Sequence, residues 1–365
     1  MSADSLYGER IVWQTRCRAV SVPLPQKAAA VGAAVISAVV LCYAVVVARS
    51  LGTPVGGMVM FAAWCAGIAL SAWRLPIWWR SQVEYLVTDR RVVWRRGRIQ
   101  RSIDIRQISY ALVRWGSRDP SVGDLVLIRA VPTGALRRTL SLTLHDVEAP
   151  DRLWAMIRGV EPSAPFGSGE RPLAQRLDPG ERVLWSAAPM AAPWTNRRLA
   201  TAVTGALLFA FFARSLTRSL PPLVEVVQAL PPATAGFLLV GASLGMLLLF
   251  AVATGVAYAA FVRPSRLSRQ TRYFVTDARV LIRRGEEELS LDRSRIAYVI
   301  DAPSRKLHDV FLVLDGPQAR ALAPSGAFGD EANSVEGLRP VFASIDDADT
   351  VGRILADRDI EKHAA

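Results

Sequence analysis

A chain of 365 residues has room for two or three domains, and 51% of it is hydrophobic, a high share for a soluble protein. Its formal net charge of +12 points to an anionic partner, with nucleic acid and the inner leaflet of a membrane as the two candidates. Three cysteines (Cys17, Cys42, Cys65) and three scattered histidines (His145, His308, His363) give no disulfide framework and no metal-ligand motif, and no cofactor is expected.

The first 26 residues are polar and basic, and no cleavable signal peptide is expected. They carry a Gly8-Glu9-Arg10-Ile11-Val12-Trp13 box. Two uncharged runs follow, Ala28–Ala48 and Val55–Trp73, of 21 and 19 residues. A helix crossing a core of roughly 30 Å needs about 17–25 residues, so both are expected spans.

A polar region with strand periodicity comes next. Glu84–Val87 and Val92–Arg95 flank a tight turn at Thr88-Asp89-Arg90, and Gly97 closes the next turn. Ser102–Ile105, Ile108–Val113, Asp124–Arg129 and Thr139–Leu144 continue the strands. Asp151 is expected to cap a helix through Val160, with Leu153, Trp154 and Ile157 at helical spacing. Glu161–Arg176, with Pro, Gly and Ser, reads as a linker.

A second box, Gly180-Glu181-Arg182-Val183-Leu184-Trp185, opens the second half. Leu199–Ala213 has only 15 residues before Arg214, so the third span is expected to extend to Leu216 or Leu220 with Arg214 snorkelling. Ala235–Phe261, at 27 residues, must tilt or project. Strands are expected at Tyr273–Val275, Val280–Arg283, Leu289–Asp292, Ile296–Ile300, Val310–Leu314 and Val341–Ile345. Pro317–Pro340 reads as a short strand and a long loop, and Asp349 caps a last helix with Val351, Ile354 and Leu355.

The two halves are copies. A shift of 188 aligns Pro76–Tyr110 with Pro264–Tyr298 at fifteen identities in 35 positions. The matches include Val87-Thr88-Asp89 with Val275-Thr276-Asp277, and Arg91, Arg95, Arg96 and Gly97 with Arg279, Arg283, Arg284 and Gly285. The chain therefore divides into a basic N-terminal segment (1–27), a transmembrane hairpin (28–73), a β region (74–160), a linker with the second box (161–198), a second hairpin (199–261) and a second β region (262–365).

A membrane hairpin followed by Tyr-x-Val-Thr-Asp-x-Arg-Val-x-x-Arg-x-Gly resembles the bacterial pleckstrin-homology-like (YdbS-like) membrane-flanking domain. Tyr85, Val87, Thr88, Asp89, Arg91, Val92, Arg95 and Gly97 carry the resemblance, then their second-copy equivalents. It implies an integral membrane α plus β fold. Each hairpin would precede a bent antiparallel sheet of six to seven strands, closed by a C-terminal helix. It implies no particular ligand.

Basic residues gather at Arg10, Arg16 and Lys27, at Arg74 and Arg80, at Arg197 and Arg198, and at Arg263, Arg266 and Arg269. The positive-inside rule then puts both termini and both β regions in the cytoplasm, in a multi-pass protein of the cell membrane. Arg90, Arg91, Arg95, Arg96, Arg98, Arg101 and Arg106 crowd the first hairpin of strands, and three or four of them on one face would meet anionic phospholipid or a partner protein. Glu286, Glu287 and Glu288 replace Arg98, Ile99 and Gln100 in the second copy. The two domains either meet through that acidic stretch and the basic hairpin, or stand apart as solvated faces.

Thr88, Asp89 and Gly97, with Thr276, Asp277 and Gly285, read as turn-formers. Asp104 and Asp292 read as structural, with Arg106 as the first one's ion-pair partner. Gly241 and Gly245, and Gly67 with Ser71, permit close helix packing within or between chains, so a homo-oligomer is a candidate. No helix-turn-helix, zinc site or RNA-binding aromatic signature supports nucleic acid. No catalytic ordering or phosphate-cradling loop supports an enzyme. The expected function is non-enzymatic: β domains that bind a partner protein, each other or anionic lipid at the inner membrane face. The alternative is an accessory subunit of a transport, export or stress-resistance system.

Overall fold

The computed structural model describes residues 5–6, 8–17, 22, 24–51, 54–116, 121–130, 139–160, 177–190, 196–304, 307–314 and 338–356. The expected linker Glu161–Arg176 and nearly all of Pro317–Pro340 lie outside these. The chain forms two units. One comprises Met1–Ala19, Arg80–Thr195 and Pro264–Ala365; the other comprises Val20–Trp79 and Asn196–Arg263.

The helical unit holds α1 (Leu24–Leu51), α2 (Gly56–Ser81), α4 (Asn196–Ala229) and α5 (Pro232–Ala257). Four helical stretches are long and apolar enough to cross a membrane: Pro25–Arg49, Gly56–Ser81, Arg198–Val226 and Gly241–Gln270. The protein is thus read as multi-pass. The third helix differs from expectation. It continues through Pro221 and Pro222 to Ala229. Each proline forfeits only its own N–H, and Leu223, Val224 and Val226 carry the helix onward.

Helix packing sits at a glycine that sequence reading passed over. A Cβ on Gly205 of α4 would lie 3.4 Å from Val256 and from the Ala257 backbone of α5. Nearby, Phe250 packs against Phe209 and Phe212 with centroids 6.1 and 5.4 Å apart. Arg198 Nε donates to the Ala260 carbonyl at 2.8 Å. Between α1 and α2, Ser37 Oγ donates to the Ala62 carbonyl at 2.8 Å. Nothing comes within 4 Å of a Cβ built on Gly67, Gly241 or Gly245, and Ser71 is exposed.

In the β unit each copy contributes four strands, then three, then a helix. The first copy has β2 (Glu9–Arg16), β3 (Glu84–Thr88), β4 (Arg91–Arg96) and β5 (Ile99–Asp104). Then come β6 (Tyr110–Trp115), β7 (Val122–Ala130), β8 (Thr139–Glu148) and α3 (Pro150–Ile157). The second copy has β9 (Val183–Ala187), β10 (Thr271–Thr276), β11 (Arg279–Arg284) and β12 (Glu287–Asp292). It continues with β13 (Ile296–Ser304), β14 (Leu307–Leu314), β15 (Val341–Ile345) and α7 (Ala348–Ala356), while α6 (Arg263–Gln270) precedes β10. A two-residue strand, β1 (Ser5–Leu6), adds to β2.

The strands do not partition by copy. One sheet runs β1-β2-β3-β4-β5, another β8-β7-β6-β12-β11-β10-β9, and the third β13-β14-β15. The copies meet along an antiparallel seam, β6 against β12, with Glu287 opposite Arg114 and Leu289 opposite Leu112. One core follows, in which Tyr110 and Leu112 of the first copy lie with Val275, Leu289, Leu291 and Phe342 of the second. The sequence of β6, Tyr-Ala-Leu-Val-Arg-Trp, suits a strand covered on both faces.

Local chemistry sets the turns. Gly97 and Gly285 have φ of +54° and +61°, which suits glycine at each copy's second hairpin turn. Asp151 does not cap α3: Ala149 takes the N-cap position at φ 45°, with Pro150 in the first turn. In the last helix the capping oxygen belongs to Asp347, which accepts from the Thr350 N–H at 3.3 Å, two residues before the expected Asp349.

Candidate functional site

The polar residues that recur in both copies assemble into two networks, and each network occurs twice. The first joins the Gly-Glu-Arg box to the Thr-Asp-x-Arg turn. Strand β2 pairs with β3 so that Trp13 lies opposite Val87, and β9 pairs with β10 so that Trp185 lies opposite Val275. That register delivers Glu9 to Thr88 and Arg91: Thr88 Oγ1 lies 2.8 Å and Arg91 Nε 2.9 Å from Glu9 Oε2. Thr88 Oγ1 also accepts the Arg90 and Arg91 backbone N–H groups, which fixes the turn.

In the second copy Glu181 receives Thr276 Oγ1 at 2.6 Å and Arg279 at 2.9 Å through Nε and 3.0 Å through Nη2. The bidentate fork gives geometric specificity as well as energy. Burial alone would raise the Glu181 carboxyl; the hydrogen bond and charge of Arg279 overcome it and hold the carboxyl below its ordinary value. Glu9 is shifted the same way: burial raises it, and Thr88, Arg91 and Arg90 outweigh that. Asp277 Oδ1 accepts the Arg182 N–H at 3.1 Å, tying box to turn a second time.

The second network pins the last strand of each copy. Tyr85 Oη accepts the His145 N–H at 2.9 Å, and Tyr273 Oη accepts the Ala343 N–H at 3.0 Å. The next residue in each strand has positive φ, 51° at Asp146 and 54° at Ser344. Its N–H is taken by a carboxylate, Asp124 at 3.0 Å and Asp309 at 2.8 Å. The two carboxylates differ. Burial raises Asp124, but the His145 side chain, with Nδ1 3.2 Å from Oδ2, leads the groups that pull it below its ordinary value. Asp309 has no imidazole in that place, so burial raises it and Asp301 adds to the rise. Burial also raises both tyrosine hydroxyls, keeping them protonated.

The predicted contact arginines are dispersed. Directly opposed strand residues share a face. Trp94 lies opposite Arg101, and Arg96 opposite Ile99, so Arg96 and Arg101 share one face. Arg91 and Arg95 lie on the other face, opposite Asp104 and Gln100. Arg90 and Arg98 occupy the two turns. No face of β4–β5 gathers more than two of the set. Arg91 is committed to Glu9, and Arg96 Nη2 reaches Gln82 Oε1 at 3.5 Å. Arg90, Arg95, Arg98, Arg101 and Arg106 are exposed, with the Arg101 guanidinium 6.0 Å from the Trp94 ring centroid.

Asp104 accepts the Arg106 backbone N–H at 2.9 Å and so starts a short 3-10 turn, Ile105–Gln107. Its expected side-chain ion pair is replaced by this backbone bond, because the turn brings the amide closer than the guanidinium. Asp292 has Arg158 Nη1 at 3.9 Å. The acidic stretch of the second copy meets Arg114 of β6, with Glu287 Oε1 2.9 Å from Nε, and not the basic hairpin.

Among the described residues no group of three or more His, Cys, Asp or Glu is placed to hold a metal ion. Sequence reading recorded Tyr85 and Tyr273 as identities without a role and missed Asp124, Asp309 and His145. The one available signal was the repeated aspartate in the sixth strand of each copy.

Comparison with known families, curated proteins and solved structures gives no match for this chain.

Proposed function

We propose that this chain is a non-enzymatic multi-pass membrane protein of the cell membrane whose two β regions are pleckstrin-homology-like domains. They act as one recognition platform at the cytoplasmic face, where the first β4–β5 hairpin contacts anionic phospholipid. The order of four strands, three strands and a helix in each copy supports the domain type. The basic residues flanking the spans support the cytoplasmic side.

One observation carries the lipid reading. The repeated polar residues satisfy one another, whereas Arg90, Arg95, Arg98 and Arg101 stay exposed on a hairpin that follows α2 directly in the chain. Each basic group near an anionic surface contributes about 1 kcal/mol, screened by salt. Because these arginines lie on both faces and at the turns, the contact is a general electrostatic one and not a headgroup pocket.

The test uses the full chain, because a fragment from Arg80 to Val160 lacks both β2 and the β12 seam partner. The protein is placed in nanodiscs of neutral lipid or of lipid with an anionic fraction, and amide hydrogen exchange is followed across β4 and β5. Anionic lipid should slow exchange at the Gly97 turn. High salt, or the combined Arg95→Glu and Arg98→Glu change, should abolish the slowing. Equal exchange in both lipids would refute lipid contact and leave a protein partner as the target.

A further inference from the structure

The seam between the copies is used once, and the structure holds the parts for using it again. Strand β12 of the second copy and strand β5 of the first stand at the same place in the repeat. So do β6 and β13. In the observed seam, β12 pairs with β6. Among the described residues, no strand pairs with the outer edge of β5 or with that of β13.

Burial follows this difference. Glu288, Leu289, Ser290 and Leu291 of β12 are buried, while Ile99, Gln100, Arg101 and Ser102 of β5 are exposed, Ile99 at 55%. An exposed edge carrying unpaired N–H and C=O groups is a template for another strand.

The face of β13 shows the complementary preparation. In the first copy Tyr110 and Leu112 join the core shared across the seam. In the second copy the residues a shift of 188 away, Tyr298 and Ile300, belong to a separate small apolar cluster around Phe311 and Val341. The seam register carries over without a charge clash. Glu287 opposite Arg114 becomes Ile99 opposite Ala302, and Leu289 opposite Leu112 becomes Arg101 opposite Ile300.

We propose that β5 of one chain pairs antiparallel with β13 of a second copy of the same chain, continuing the internal seam as an intermolecular one. The pairing is directional, so two chains that exchange it reciprocally make a closed dimer, and chains that do not close make a larger ring or a filament. The proposal does not depend on lipid contact.

The test is register-specific cross-linking of the full chain in membranes. One tagged chain carries Ile99→Cys, and a differently tagged, co-expressed chain carries Ala302→Cys. Neighbouring strands bring Cα atoms within the range a disulfide spans. The control partner carries Asp301→Cys, one residue along, whose side chain points to the opposite face. The unmodified parent controls for Cys17, Cys42 and Cys65.

The expected result is a disulfide between the two tagged chains that is several-fold more abundant than with the slipped control. Equal yields from both pairs, or no interchain product, would overturn the proposal. A single chain with both Ile99→Cys and Ala302→Cys is run alone, and closure within that chain in preference to dimer would also overturn it. Native mass spectrometry of the unsubstituted protein guards against misfolded variants. It should show a dimer or larger assembly, and monomer alone at every concentration would refute the idea.

Discussion

Arg158, just past the end of α3 in the first copy, donates to both carboxylate oxygens of Asp178, at 2.7 and 3.1 Å, ahead of the second copy's box. Asp178 in turn lies 3.5 Å from Arg279 Nη2, so the first copy's helix end is linked to the second copy's Glu181–Arg279 pair. The two versions of the box network therefore differ in burial. The Glu181 and Arg279 side chains are 1% and 5% exposed, against 13% and 26% for Glu9 and Arg91.

That difference predicts unequal costs for the same substitution. Glu181→Ala leaves the Arg279 guanidinium buried without its main partner, and breaking a buried pair costs about 3–5 kcal/mol. Glu9→Ala frees a guanidinium that water already reaches, for about 1 kcal/mol. Thermal unfolding of the two variants in detergent micelles should show the larger drop for Glu181→Ala. Equal drops would refute the burial argument.

The seam makes a second prediction. Leu289 is fully buried at the β6–β12 junction, and Leu289→Ala should cost about 2–5 kcal/mol. Because one core spans the seam, the loss should appear in both copies. Hydrogen exchange should quicken in β7 of the first copy as well as in β11 of the second. A change confined to the second copy would mean that the copies fold independently. The Glu287–Arg114 pair is more exposed, and a double-mutant cycle on it should return only about 0.2–1 kcal/mol.

Most strands were legible in the sequence, and the seam was not. Val341–Ile345 stands at the expected residues, and alternation located the strands around Tyr85 and Tyr273 to within a few positions. Those signals are local. The pairing of Leu112 with Leu289 joins residues far apart in the chain, and neither strand's own pattern names its partner. The boxes and turns were visible as motifs, but the contact of Glu9 with Thr88 depends on the β2–β3 register, which 63 intervening residues from Leu24 onward conceal only as loop length. Burial gave one overlooked hint: Tyr110 to Val113 has no polar position to face solvent.

Two glycines give a contrasting pair. A Cβ on Gly123 would fall 2.2 Å from the Arg114 carbonyl oxygen, which is backbone and cannot rotate away. Gly123→Ala should therefore separate β6 from β7 and cost about 1–3 kcal/mol or more. Gly241→Ala meets nothing within 4 Å and replaces a helical glycine, so it should be neutral or stabilise by up to about 1 kcal/mol. Unfolding midpoints of the two variants check both signs. A large loss from Gly241→Ala would instead place that glycine at a contact with another chain.

The matched carboxylates of the last-strand network predict opposite responses to the same change. Asp124 is held below its ordinary value of 3.8, so its ionised form contributes stability above that pH, and the contribution fades as pH falls through the folded value. Asp309 is raised above 3.8, so the folded state disfavours its charge, a cost present at neutral pH and relieved as pH falls through the raised value. Asn keeps an oxygen to accept the Asp146 or Ser344 N–H while removing the charge. At neutral pH Asp124→Asn should destabilise and Asp309→Asn should stabilise, each on the order of 1 kcal/mol. The gap between them should narrow as the pH is lowered towards 3.8. His145→Ala should make Asp124 behave like Asp309, because it removes the leading group that pulls the carboxyl down. Denaturant unfolding of the three variants across that pH range is the measurement, and destabilisation by Asp309→Asn at neutral pH would refute the assignment.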